Sequence, residues 1–248
     1  MIIFIAIILT PLYKPKAPPK IKPVKITHVL KGMIAIVIDD WGYNQNNLEI
    51  ARQIKQPLTC AVLPNLKNTS AVAQKLHKLG KEIILHLPME PKETRRLEKD
   101  TISVSMSQEE IHKIIDKDLV NFVFAKGVSN HMGSRVTGDI KTSTMVMQEI
   151  KKRNLYFLDS FVTATSVCAP LAKKMGLRFS QRDVFLDNQS NPEYIKNQIN
   201  ELKKIAYRQG IAIGIGHDRK NTLLVLKEML PSIAKEGYEF VFVSKVAK

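Results

Sequence analysis

From residue 33 onward, short apolar runs alternate with amphipathic stretches, and this alternation limits the possible fold more than any other feature of the chain. The apolar runs are eight in number and cover residues 33–38, 58–63, 82–87, 127–130, 155–158, 178–180, 211–215 and 240–243. Continuous apolar runs are typical of strands that are covered on both faces, as in a parallel sheet. About eight strands separated by helices predict either a doubly wound α/β sheet or a (β/α) barrel.

Helix boundary signals lie between these runs. Ser107 and Glu110 form a capping-box pattern, and Asn191 is an N-cap candidate followed by a proline. Glycines at 80, 210 and 237 follow amphipathic stretches and favour helix ends there. We therefore expect helices over residues 69–79, 107–124, 191–207 and 222–235.

Residues 1–32 differ in composition from the remainder of the chain. Residues 1–12 form an apolar run, which is short compared with the roughly 20 residues of a spanning helix. It fits a signal peptide or a short membrane anchor, and the Pro/Lys-rich stretch 13–32 fits an extended linker. We expect a single domain over 33–248 and a periplasmic or other extracytoplasmic location, with contact to a membrane surface through the N-terminus.

The chain is strongly basic, with a formal net charge of +15. Six lysines lie between residues 14 and 31, and the remainder still holds 32 basic residues against 23 acidic ones. Solvation and compositional bias account for many such lysines, whereas an anionic partner is the functional alternative. Because aromatic residues are not interleaved with the basic ones, no nucleic acid partner is expected. Cys60 and Cys168 lie in apolar segments and are expected to be buried free thiols, with a disulfide as the alternative.

Polar, chemically reactive residues follow several of the predicted strands. They are Asp39 and Asp40, His86, Asn130 and His131, Asp159, and His217. The carboxyl ends of parallel strands meet at one edge of a sheet, where ligands bind. One residue of this kind is usually structural, as a buried histidine with a single hydrogen bond is. Several strands that each end in Asp or His are better explained by a shared site.

Adjacent carboxylates repel each other unless a cation compensates them, and a helix N-cap would explain only one of the two at 39–40. One Asp and two His form a good ligand set for Zn²⁺ or a similar ion. Such an ion activates water and polarises a carbonyl, while a second Asp serves as base and a His as acid. The glycines before His217 are expected to leave open space for a substrate, and no dinucleotide-binding fingerprint is present.

Six motifs together resemble the divergent polysaccharide deacetylases, relatives of the NodB-like carbohydrate esterases. The motifs are IVIDDWG (36–42), HLPME (86–90), NHMGS (130–134), FLDS (157–160), RDVFLD (182–187) and IGIGH (213–217). Their order and spacing cover essentially all of the chain from residue 33. The resemblance implies a distorted (β/α) barrel of about seven parallel strands.

The resemblance also implies roles for individual residues. Asp39 matches the catalytic base, His217 the general acid, and Asp40 and His86 metal ligands. The related esterases carry a second metal-binding His four residues after the first, where this chain has Glu90. His131 is therefore expected as the third ligand, with Glu90 as the alternative. The residues expected to line the substrate site are Glu90, Asn130, Ser134, Asp159 and Asp187.

The function implied is a metal-dependent hydrolase that removes N-acetyl groups from a cell-envelope polysaccharide, with one divalent ion, Zn²⁺ being the first candidate. Two alternatives stay open at this point. One is a non-catalytic glycan-binding or scaffold module on the same fold, with Glu90 marking loss of the metal site. The other is a different metal-dependent hydrolase, such as a phosphoesterase.

Overall fold

The computed structural model describes residues 30–120 and 122–248. The predicted signal or anchor (1–12) and nearly all of the predicted linker (13–32) lie outside the described residues. Among the described helices, none is both long and apolar enough to cross a membrane.

In the described residues, nine strands form one sheet with parallel pairings throughout. They are β1 (Gly32–Trp41), β2 (Thr59–Val62), β3 (Glu82–Met89), β4 (Gly127–Met132), β5 (Tyr156–Asp159), β6 (Phe179–Gln181), β7 (Val184–Phe185), β8 (Ile211–His217) and β9 (Tyr238–Val241). The spatial order is β6-β5-β4-β3-β2-β1-β8-β7, and β9 pairs with β1 outside this path. All eight predicted strands are present, and the two-residue strand β7 is an addition because it is too short to give a sequence pattern.

Eight helices in the described residues connect or flank the strands. They are α1 (Leu48–Gln53), α2 (Thr69–Lys78), α3 (Gln108–Leu119), α4 (Ile140–Lys152), α5 (Cys168–Met175), α6 (Pro192–Gln209), α7 (Lys220–Lys235) and α8 (Val243–Val246). The four predicted helices are confirmed, including the capping box at Ser107. However, α3 ends at Leu119 and not near 124, because the chain turns there toward β4, where Lys126 N–H donates to Ile83 O.

The sheet curls into an open barrel, which confirms the predicted (β/α) barrel. Its two edge strands, β6 and β7, are separated in the chain only by Arg182 and Asp183. The N–H of Arg182 donates to Asp159 O, and the N–H of Asp183 donates to Ile213 O. The first bond connects this short segment to β5 and the second connects it to β8. The two edges of the curled sheet therefore lie close together.

Apolar packing occurs both inside and outside the curled sheet. The larger cluster lies between the strands and the surrounding helices and includes Trp41 and Leu226. The smaller cluster fills the interior with Val37, Ile84 and Ile215, and α8 contributes Val246 to it. Side chains alternate along a strand, so β1, β2, β3 and β8 supply both clusters, and this explains why their runs are continuously apolar. Cys60 and Cys168 are buried free thiols, as expected.

Candidate active site

The candidate site lies at the edge formed by the carboxyl ends of the strands. Asp39 and Asp40 come from β1, His86 from β3, His131 from β4 and His217 from β8. The parallel register places Asp39 opposite His217. Residues that are far apart in the chain therefore become neighbours because adjacent strands end together.

The backbone at the end of β1 is irregular, and this brings both carboxylates to the same place. Asp40 has a φ of 64°, in the left-handed region, and the register with β2 shifts between Ile38 and Trp41. In a regular strand, consecutive side chains point to opposite faces. Here Asp39 Oδ2 lies 3.5 Å and Asp40 Oδ1 lies 3.4 Å from His86 Nε2. A non-glycine residue in this conformation is uncommon, and strained backbone conformations cluster at active sites.

Three side chains form a group able to hold a metal ion. One possible ligand atom from each of Asp40, His86 and His131 lies within 4.8 Å of the others. His86 Nδ1 is 2.8 Å from Ser129 Oγ, which leaves Nε2 directed at the carboxylates. His131 Nδ1 is 3.0 Å from Asp40 Oδ1, while its buried Nε2 has no hydrogen-bond partner in the described part of the chain.

This donor set fits a divalent ion. A buried imidazole nitrogen without a partner is costly unless a ligand satisfies it. Two imidazoles and one carboxylate are the ligands that Zn²⁺-class ions prefer, and three protein ligands leave positions open for water. The group consists of the three residues that the sequence predicts as ligands, and the identity of the ion stays a prediction.

The two adjacent carboxyl groups differ in their acidity. Burial raises the pKa of Asp39, and the nearby His86 only partly opposes this. Burial also acts to raise the pKa of Asp40, but hydrogen bonds with His131 and His86 outweigh it, so the pKa of Asp40 is well below its usual range. The Oδ1 atom of Asp39 is buried and has no partner among the described residues. Asp40 is therefore an anionic ligand candidate, whereas Asp39 is a group that can accept a proton.

His217 is held by a buried carboxylate. Its Nδ1 lies 2.7 Å from Asp187 Oδ1, and its backbone N–H donates to Asp187 Oδ2. Thr222 Oγ1 also donates to Oδ2, at 2.6 Å. Burial acts to lower the pKa of His217, but the hydrogen bond and the charge of Asp187 outweigh it and raise the pKa above its usual value. The imidazole is thus fixed in orientation and favoured in its protonated form.

Three side chains of the site have no role that the sequence predicts. Ser129 contacts His86 because the two residues are paired in the β3–β4 register. The ring of Phe185 stacks on His217 with centroids 6.0 Å apart, and the Arg182 guanidinium lies 3.7 Å from the centre of the Phe185 ring. A serine within an apolar strand was the available signal for Ser129, but only the register shows its partner.

The predicted substrate-contacting residues occupy different positions. Asp187 supports His217 as described. Asn130 and Asp159 are buried. The side chain of Asn130 donates to Met132 O and accepts from Ser160 N–H, and the side chain of Asp159 accepts from Phe161 N–H. Their contact with a substrate stays a prediction.

Glu90 and Ser134 lie at the rim of the same edge. Glu90 Oε1 accepts from Arg135 at 2.9 Å and its Oε2 accepts from Val104 N–H, so the metal-binding group does not include it. Ser134 Oγ accepts from Lys92 N–H. Substrate contact stays a prediction for these two residues as well.

The expectation that the glycines before His217 leave space for a substrate is wrong. A Cβ at Gly214 would lie 2.6 Å from Leu202 Cδ2, and a Cβ at Gly216 would lie 2.8 Å from Thr222 Cγ2. Leu202 belongs to α6 and Thr222 to α7. These glycines therefore allow the outer helices to pack closely against β8.

Comparison with known proteins gives the family of this chain. The model of the divergent polysaccharide deacetylase family matches residues 36–247. This chain belongs to that family. It is 38% identical over 202 residues to the uncharacterized protein YibQ of Escherichia coli (strain K12), covering 82% of this chain and 63% of the relative. An uncharacterized protein of Haemophilus influenzae is 31% identical over 208 residues, which cover 83% of this chain and 74% of that protein. The chain thus spans less than two thirds of the E. coli relative.

Solved structures share the fold. An uncharacterized protein from Agrobacterium tumefaciens C58 has a TM-score of 0.82 and 24% identity, covering 88% of this chain and 90% of that one. A peptidoglycan N-acetylglucosamine deacetylase has a TM-score of 0.57 at 12% identity, covering 88% of each chain. A pseudoenzyme of carbohydrate esterase family 4 from Bacillus anthracis has a TM-score of 0.51 at 15% identity, with 88% of this chain and 66% of that one covered.

Proposed function

We propose that this protein is a metal-dependent hydrolase that removes N-acetyl groups from a cell-envelope polysaccharide. The observation that carries the proposal is the placement of Asp39 beside a metal-binding group and opposite the His217–Asp187 pair. A proton acceptor and a proton donor thereby flank one position at the carboxyl edge of the sheet. Membership of a deacetylase family supports the choice of an acetylated glycan as substrate.

Asp40, His86 and His131 would hold the ion. A divalent ion at this position polarises the acetyl carbonyl and makes water more acidic. Asp39 takes the proton of the attacking water, because it lies beside the metal-binding group and opposite His217. As the water oxygen bonds to the carbonyl carbon and the C–N bond breaks, His217 donates its proton to the departing nitrogen. Acetate and a free amine are the products.

Single substitutions in the full chain test this division of roles. Asp39→Asn and His217→Ala should retain the ion and lower acetate release by about 10²–10⁴-fold, the usual contribution of general acid–base catalysis. Asp40→Asn should lose both the ion and the activity. Elemental analysis and acetate release from N-acetylglucosamine oligomers and from peptidoglycan are the measurements. Glu109→Gln is the matched control, since this carboxylate is exposed on α3 with a side-chain exposure of 74%.

Other results would reject the assignment. If Asp39→Asn loses the ion while Asp40→Asn keeps it, the two roles are exchanged. If the parent protein binds the ion but releases no acetate from any acetylated glycan, the catalytic proposal fails.

A non-catalytic glycan-binding module is the second candidate. The observation that favours it is Glu90, which stands where related esterases have a histidine and which pairs with Arg135 at the rim and not with the metal-binding group. The solved pseudoenzyme also shows that the esterase fold occurs without activity. Retention of the chain on insoluble peptidoglycan, with no acetate released and no loss of retention in Asp39→Asn, would establish this alternative.

An extracytoplasmic location is part of the proposal and is supported by the sequence of residues 1–12 alone. A fusion of the full chain to a reporter that is active only outside the cytoplasm should give signal. Signal solely from a cytoplasmic reporter would reject the location and, with it, a cell-envelope substrate.

A further inference from the structure

The edge opposite the candidate site carries an unusual distribution of charge. Six segments lead into strands β1 to β6 at this edge, and their described residues are 30–31, 54–58, 79–81, 120 with 122–126, 153–155 and 176–178. Each segment contains one basic residue and no acidic residue. The six residues, here named the basic edge, are Lys31, Lys55, Lys81, Lys126, Arg153 and Arg178.

The other edge of the same sheet provides the comparison. The connections that leave β1 to β5 cover residues 42–47, 63–68, 90–107, 133–139 and 160–167 and hold six basic and five acidic residues. The basic composition of the whole chain would affect both edges alike. Helix dipoles favour cations in the last turn of a helix, but the six residues lie beyond the helix ends. The asymmetry is therefore a property of this edge.

Most of the basic edge is available to a partner. Lys31, Lys55, Lys126 and Arg178 are exposed, whereas Lys81 is buried against backbone carbonyls and Arg153 is half-buried in an ion pair with a glutamate of α4. Further exposed lysines at helix ends and near α8 extend it, namely Lys78, Lys173, Lys174, Lys245 and Lys248. Acidic side chains also lie near this edge: Glu236 follows α7, Glu239 lies in β9, and Asp116 and Glu149 pair with Arg153.

Apolar side chains lie exposed among these cations. Phe124 stacks on His77 in the last turn of α2, with ring centroids 4.3 Å apart, and this places the adjacent Val123 at the same edge. Val123 is 89% exposed, and Leu30, beside Lys31, is 54% exposed. Exposed apolar side chains at an edge that also carries exposed cations suit the boundary between lipid headgroups and acyl chains.

We infer that the basic edge rests on a membrane surface that contains anionic phospholipids, so that the candidate active site faces away from the membrane. The chain enters the domain at this edge, since Lys31 N–H donates to Gly237 O at 2.9 Å immediately before β1. The sequence ahead of it holds five further lysines within residues 14–25 and the apolar run 1–12. The inference goes beyond the proposed function and does not depend on catalysis, because it concerns the opposite edge.

Charge reversal tests the inference in the full chain. The variant Lys55→Glu/Lys126→Glu/Arg178→Glu changes the basic edge, and Lys67→Glu/Arg95→Glu/Lys99→Glu is the matched control at the other edge. Partition is measured onto phosphatidylcholine vesicles with and without phosphatidylglycerol. The ratio of the two partition coefficients reports the electrostatic contribution to vesicle binding, separately from the apolar contribution of residues 1–12. Since a basic residue near an anionic surface is worth about 1 kcal/mol, the ratio should fall at least about tenfold in the first variant and stay within about twofold of the parent in the control.

Equal falls in both variants would show a dependence on net charge alone, and an unchanged ratio would show no contact; either result overturns the inference. If the basic-edge variant keeps its vesicle ratio but loses retention on an acidic polysaccharide, the partner is a polymer and the membrane inference is also overturned.

A labelling experiment gives the orientation without changing any charge. Val123→Cys places a thiol at the basic edge, and Val162→Cys places one at the edge of the site. Cys60 and Cys168 are buried, so a thiol-reactive fluorophore attaches to the introduced residue. With nitroxide-labelled lipid in the anionic vesicles, the label at 123 should be quenched strongly and the label at 162 should not. Equal quenching, or stronger quenching at 162, would refute the proposed orientation.

Discussion

Replacing Asp118 by asparagine should stabilise the protein at neutral pH. Asp118 is a buried residue of α3 whose Oδ1 accepts a hydrogen bond from Asn65 Nδ2 at 2.7 Å. Its Oδ2 is buried without a partner among the described residues. Burial raises the pKa of Asp118 to about 6, although the hydrogen bond from Asn65 acts to lower it. At neutral pH the folded state must therefore hold a carboxylate that burial disfavours.

The sign of the pH dependence follows from linkage. Because the pKa of Asp118 is raised from 3.8 to about 6 on folding, the folded state binds the proton more tightly than the unfolded state does. The stabilisation by the protonated group is complete below pH 3.8 and is lost as the pH rises through 6. A difference of about two pKa units corresponds to about 3 kcal/mol, and the weaker hydrogen bond that an uncharged amide accepts from Asn65 reduces the gain in Asp118→Asn to about 1–2 kcal/mol.

Asp118→Asn cannot ionise, so it should raise the free energy of unfolding by about 1–2 kcal/mol at pH 7.5 and change it little at pH 4. Urea unfolding of the full chain at the two pH values measures the difference. Asp116→Asn is the matched control on the same helix, since Asp116 is paired with Arg153 and hydrogen bonding to that group lowers its pKa. A loss of stability at pH 7.5 in Asp118→Asn, or an equal change at both pH values, would refute the reasoning.

Three further predictions concern the site and the domain boundary. Asp187→Asn should move the alkaline limb of the deacetylation pH profile to lower pH, because the charge and hydrogen bond that raise the pKa of His217 are weakened; an unmoved limb would contradict the role given to this pair. Ser129→Ala should weaken metal affinity by about 10–100-fold, because the partner that orients His86 is lost, and a chelator competition assay measures it. A chain lacking residues 1–29 should keep the far-ultraviolet circular dichroism of a folded α/β protein, and a disordered spectrum would show that those residues are needed for folding.

Much of the fold could be predicted from the sequence because the signals are local. A strand that is buried on both faces must be apolar along its length, and this made β1, β2 and β3 recognisable. Capping patterns and C-terminal glycines depend on a few neighbouring residues and located α3 and α6. Polar residues at the strand ends indicated a shared site, since parallel strands end at one edge whatever their spatial order.

Other features depend on which strands are neighbours and were decided only by the tertiary structure. The pairing of β3 with β4 sets Ser129 beside His86, and the packing of α6 and α7 on β8 explains the glycines before His217. The left-handed backbone of Asp40 turns two consecutive carboxylates to one histidine, against the alternation expected of a strand. The contrast between the basic edge and the opposite edge also appears only when connections distant in the chain are brought together. Composition and periodicity do not encode which distant segments become neighbours or where a strand departs from regular geometry.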